Sequence, residues 1–84
     1  MEWTEEDGKL MCELTFGSQT QLSRFVLMLA MMSDQMNHHA DMVISYNRLF
    51  LSLCTHDENA ITTKDHEWVQ RAAGCWEAIS EKEG

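Results

Sequence analysis

Residues 9–37 read KLMCELTFGSQTQLSRFVLMLAMMSDQMN, and the fold class turns on the change of period inside them. From Lys9 to Phe16 the apolar residues Leu10, Cys12, Leu14 and Phe16 take every second position. That alternation predicts a half-buried strand, whose successive side chains point to opposite faces. Gly17 and Ser18 interrupt it, and Ser18 suits the N-cap of a helix. Over 19–37, Leu22, Phe25, Val26, Leu29, Met32 and Met36 recur at i, i+3, i+4 and i+7, which is the stripe of that helix. Leu27, Met28 and Met31 lie off the stripe, so the helix is apolar around most of its circumference. Such a helix has two surfaces to cover, one against a sheet and one against a second subunit, or it is simply a broad core helix that exposes some methionine.

Upstream, Trp3 stands among Glu2, Glu5, Glu6 and Asp7, and Gly8 marks a turn, which leaves room for a further strand near Trp3. Downstream, Met42, Ile44 and Tyr46 alternate with Val43, Ser45 and Asn47, then Leu49, Leu51 and Leu53 alternate with Phe50, Ser52 and Cys54, with a hairpin turn expected at Asn47-Arg48. The polar run THDENAI at 55–61 reads as a loop. Thr62-Thr63-Lys64-Asp65 has capping-box spacing. Trp68, Val69, Ala72, Ala73, Trp76 and Ile79 form the stripe of the helix it opens, ahead of the charged end EKEG. The expectation is one α+β domain over 1–84, an antiparallel sheet with helices near 19–37 and 63–81 packed on one face.

Composition narrows the partners. Fourteen acidic residues against six basic ones give a net charge of −8, which leaves no face for a large basic stripe. Nucleic acid and anionic membrane are therefore not expected as main partners. The longest apolar run, Phe25 to Met32, falls far short of the roughly 20 residues needed to span a bilayer. Hydrophobic residues at 44% are too many for a disordered acidic tail. Glu2, Trp3 and Thr4 after Met1 do not read as a secretory leader, and Cys12, Cys54 and Cys75 do not read as a disulfide framework. A reduced, cytoplasmic setting is expected.

The chemistry gathers on histidine. His38-His39 come just past a helix end and His56 just past a strand end, where rigid elements can aim side chains into one cleft. Imidazoles both give and accept protons near neutrality, which suits acid–base work. A helix C-terminus also attracts histidine through its dipole, so placement alone favours function only slightly. His38, His39, His56 and Cys54 supply metal-type donors, but adjacent histidines do not easily share one ion and no CxxC or HxxxH spacing is present. No metal is expected. Cys54 reads as a buried apolar residue and His66 as surface. Asp34, one turn before His38, is placed to orient an imidazole or simply to be solvated. Asp65 serves the capping box first, with a supporting role in a site second.

The segment Asp34-Gln35-Met36-Asn37-His38-His39-Ala40-Asp41, then Tyr46-Asn47-Arg48, then Leu53-Cys54-Thr55-His56-Asp57, with Asp65 beyond, closely resembles the pterin-4a-carbinolamine dehydratases. The likeness runs from Trp3 to about Trp76. Ala60 stands where the family commonly has glycine, and Asn59 beside it can take the left-handed conformation instead. The resemblance implies a four-stranded sheet and a homodimer or homotetramer. It implies dehydration of a 4a-hydroxy-tetrahydropterin to the quinonoid dihydropterin, in the recycling of tetrahydrobiopterin, without metal or organic cofactor. By resemblance His38 and His56 are the proton carriers and His39 helps to hold the pterin. Ala40, Thr55, Asp57 and Glu58 match positions lining the pterin site, and Asp34 and Asp65 support it. A silent relative acting as a protein-binding or assembly module is the alternative.

Overall fold

Two periods in the sequence become two layers. The computed structural model describes residues 1–83, with side chains as far as Ser80. The charged end EKEG and the close of the 1–84 domain thus lie outside the described side chains. The elements are β1 (Thr4–Glu6), β2 (Lys9–Thr15), α1 (Gln19–Met36), β3 (Asp41–Ser45), β4 (Arg48–Leu53) and α2 (Thr63–Glu83). The four strands form one antiparallel sheet in the order β1-β2-β4-β3.

The alternation read in the sequence decides which face each strand buries. Cys12 and Leu14 on β2 and Leu49, Leu51 and Leu53 on β4 turn to the helices and are buried. They meet Leu22, Phe25, Leu29 and Met32 of α1 and Trp68, Ala72 and Ile79 of α2. Phe16, Phe25 and Trp76 close one end of this core, with ring centroids 5.4 to 5.7 Å apart. Trp3 meets Trp68 edge to face at 6.1 Å. The Trp68 indole N–H donates to Ser33 Oγ at 2.9 Å, and Ser33 in turn donates to the Leu29 carbonyl, so these two buried groups are paired, whereas the buried indole nitrogen of Trp3 has no partner. Cys12, Cys54 and Cys75 are free thiols, and burial pushes Cys12 and Cys75 above the ordinary thiol value.

Local signals account for the element ends. Asp7 (φ 51°) and Gly8 (φ 76°) both take positive φ in the turn between β1 and β2, the conformation that matches strand twist. Ser18 accepts from the Gln21 N–H at 3.1 Å, as an N-cap does. α1 stops at Asn37 (φ 53°), and the His38 N–H returns to the Ser33 carbonyl at 3.1 Å, a left-handed closure of the helix.

Three expectations need correcting. The β3–β4 turn is Tyr46-Asn47 rather than Asn47-Arg48, because Ser45 pairs with Arg48. Tyr46 itself adopts the left-handed region (φ 54°), while Asn47 is clamped to Phe16 by paired bonds of 2.8 and 2.9 Å. Ala73 is exposed rather than part of the buried stripe of α2. Ile44 and Tyr46, expected on one alternating strand, are exposed as well, Ile44 on β3, which is an edge strand, and Tyr46 in the turn that follows it.

Candidate active site

Sheet register assembles the site. Asp41 at the start of β3 pairs with Ser52 near the end of β4, so residues 38–40 lie beside residues 53–56. The chain then makes a tight turn, closed by Thr55 N–H to the Ala60 carbonyl at 2.9 Å, with Asn59 left-handed (φ 52°) as its sequence allowed. That turn delivers the start of α2 to the same corner. Asn37, His38, His39, Asp41, Thr55, His56, Asp57 and Lys64 line one cavity of about 300 Å³.

Asp65 is the centre of the polar network behind the cavity, and it is fully buried. Its Oδ2 accepts from the Thr62 N–H at 2.8 Å, which is the return half of the capping box, and from the Thr55 hydroxyl at 2.8 Å. Its Oδ1 lies 2.6 Å from His38 Nε2. Burial pushes the Asp65 carboxyl up, but the bonds from His38, Thr62 and Thr55 and the charge of His38 outweigh it. They hold the group below its ordinary value of 3.8. The carboxylate therefore accepts and His38 donates from Nε2, so that whenever the ring carries a single proton its Nδ1 presents a lone pair. The chain of donors continues outward: the Thr62 hydroxyl, 2.6 Å from Thr55 Oγ1, donates to it and accepts from the Lys64 N–H.

Helical spacing left Asp34 either to orient His38 or to be solvated, and His38 is not its partner. Asp34 Oδ1 instead lies 2.8 Å from His39 Nε2, an exposed contact. The left-handed Asn37 is the reason, since it turns His38 away from the α1 surface toward α2. His56 is exposed on the turn, with Cys54 Sγ 3.8 Å from its Nδ1. Thr55 and Asp57 lie on the cavity wall, but the Thr55 hydroxyl is already committed to Asp65. Ala40 packs against the core and Glu58 is exposed, and neither is on that wall. Sequence reasoning assigns Asn37, Asp41 and Lys64 no role. Lys64 has one visible signal, its place beside Asp65 in the first turn of α2. Among the described residues no group of three His, Cys, Asp or Glu side chains is arranged to hold a metal ion.

The cavity thus gathers three imidazoles and the carboxylate network behind them, and comparison with known proteins is specific. The family model described as pterin 4 alpha carbinolamine dehydratase matches residues 1–74. The chain belongs to this family. A provisionally named pterin-4-alpha-carbinolamine dehydratase of Metallosphaera sedula is 35% identical over 69 residues, covering 82% of this chain and 72% of that protein. One of Sulfolobus acidocaldarius, named in the same way, is 35% identical over 82% of this chain and 76% of its own length. Among solved structures, a transcriptional coactivator/pterin dehydratase of Brucella melitensis superposes with a TM-score of 0.82 at 23% identity, covering 87% of this chain and 80% of that one. A pterin dehydratase-like protein described as a RuBisCO assembly factor of the alpha-carboxysome superposes with a TM-score of 0.71 at 16% identity, over 88% of this chain and 86% of that one. These two show that the dehydratase family shares the present fold.

Proposed function

We propose that the protein dehydrates a 4a-hydroxy-tetrahydropterin. The observation that carries the reading is the convergence of His38, His39 and His56 on one cavity, with His38 backed by the buried Asp65 carboxylate. In the proposed step His38 Nδ1 takes the proton from N5 of the pterin, and the freed electron pair forms the C4a=N5 double bond. The C4a–O bond breaks, and the departing hydroxide takes a proton from protonated His56, leaving as water. Asp65 stabilises the imidazolium that His38 becomes. Both protons pass between imidazoles and substrate, so the reaction calls for neither a metal nor an organic cofactor. Asp57 on the wall is suited to the N–H groups on the amino-pyrimidine edge of the pterin, and the family resemblance adds Ala40 and Glu58, which lie off that wall. The test is turnover of 4a-hydroxy-tetrahydropterin by the purified chain. Acceleration over buffer is expected, and its absence would leave the assembly-module reading in possession.

His39 is held by Asp34 at the cavity mouth and serves to hold the flat ring. His39→Ala should therefore raise KM several-fold with kcat nearly unchanged, as loss of uniform binding does. Steady-state kinetics check this, and a fall in kcat at constant KM would reverse the assignment.

We also infer a cytoplasmic homodimer or homotetramer acting in tetrahydropterin recycling, with a small molecule as its partner rather than nucleic acid or membrane. No helix among the described residues is long and apolar enough to cross a membrane. Leu27 and Met31 on α1 are 61% and 58% exposed, and β3 leaves Val43 and Ile44 open at a sheet edge. Met28, by contrast, is half-buried against the core, so Met31 is the cleaner probe. Met31→Glu should shift the assembly to smaller species in sedimentation without loss of helix content. An unmodified protein that sediments as a monomer at micromolar concentration would end the inference.

A further inference from the structure

The three histidines of the cavity differ in what holds them. His38 and His39 each meet a carboxylate, at 2.6 and 2.8 Å. Among the described residues the one side-chain partner of the His56 ring is Cys54, whose Sγ lies 3.8 Å from Nδ1. Cys54 is 5% exposed and sits where β4 ends, so its sulfur is a fixed anchor for a ring that is otherwise in solvent.

A thiol differs from a carboxylate in two respects that matter here. It can donate to an unprotonated Nδ1 or turn and accept from a protonated one, so it holds the ring in both states of a proton-transfer cycle. It also brings no negative charge and does not stabilise the cationic ring. A group that must release a proton is well served by such a neutral support. A group that must gain one is served by the carboxylate behind His38.

We propose that Cys54 is the positioning residue of His56: its thiol holds Nδ1 and so turns Nε2 into the cavity shared with His38. The donor role of that Nε2 rests on the dehydratase reading, whereas the orientation of the ring does not.

Two measurements on the full chain separate these points. In ¹⁵N-labelled protein, ring correlations assigned with His56→Gln should place the proton of neutral His56 on Nε2. Cys54→Ala should give a mixture of tautomers and lower kcat on the order of tenfold, the scale of partners that orient a histidine, with KM unchanged. Cys54→Ser, which retains a donor and acceptor, should restore both readings. A Cys54→Ala protein with the Nε2–H tautomer and kcat intact would overturn the proposal. So would a fall in kcat with the tautomer unchanged and no recovery by serine, which would reduce Cys54 to packing. Should the unmodified chain lack turnover, the dehydratase reading fails by itself, and the tautomer comparison alone decides the role of Cys54.

Discussion

The His38→Ala/His56→Ala double variant should lose nearly all acceleration of 4a-hydroxy-tetrahydropterin dehydration while keeping its circular dichroism spectrum. Each single change removes one imidazole of the proposed proton transfer, which typically costs on the order of 10²–10⁴-fold in rate. Residual turnover is expected in each single variant, because water or the remaining imidazole substitutes in part. The fold should survive at assay temperature with a lowered Tm, because Asp65 loses His38 but keeps the Thr62 N–H and the Thr55 hydroxyl. His56 is exposed, and the ring of His38 lies at the margin of the core rather than within it. Quenched-flow or absorbance assays of the three variants supply the comparison. A double variant that turns over at the unmodified rate would move the chemistry to another place on the molecule.

Asp65 should show the second large effect, and two substitutions divide it. Asp65→Ala removes a fully buried carboxylate and leaves the Thr62 N–H, the Thr55 hydroxyl and His38 without their acceptor. Breaking a buried charged pair from one side costs about 3–5 kcal/mol. For a domain of this size that should lower Tm by at least about 10 °C in calorimetry. Asp65→Asn keeps an oxygen for Thr62 and Thr55 but removes the charge facing His38. It should stay folded at assay temperature and lower kcat on the order of 10²-fold or more. An asparagine variant within a few-fold of the unmodified kcat would deny Asp65 any part in His38 function.

The same carboxylate predicts acid sensitivity. Asp65 lies below its ordinary value of 3.8 in the folded state, so the folded protein binds that proton less readily than the unfolded chain. Its contribution is therefore complete above about pH 4 to 5 and is lost as pH falls through the depressed folded value. Denaturant midpoints measured from pH 6 down to pH 2 should fall more steeply in the unmodified protein than in Asp65→Asn. Equal slopes would show that the group is not linked to folding.

Local periodicity carried most of the fold. The period-2 run at Lys9–Phe16 and the period-3.6 runs beginning near Gln19 and Thr63 fix which side of each element is apolar, and burial followed them. The misreadings fell where neighbouring residues do not decide the outcome. Turn placement at Tyr46-Asn47 depends on strand register and on the clamp from Asn47 to Phe16, which lies 31 residues away in sequence. Exposure of Ile44 depends on β3 being an edge strand, which only the sheet order sets.

The site divides along the same line. The sequence by itself determined that His38-His39, Thr55-His56 and Asp65 form one family pattern, because residue identity and spacing are sufficient for that. It also determined the capping role of Asp65, a bond spanning three residues. Only the tertiary structure decided which carboxylate serves which imidazole. Helical spacing left Asp34 open between His38 and solvent, whereas the left-handed Asn37 directs His38 to Asp65, 27 residues on, and leaves Asp34 to His39. The physical reason is that a hydrogen bond forms with whichever partner packing brings within about 3 Å, and one backbone reversal outweighs any periodicity in setting that distance.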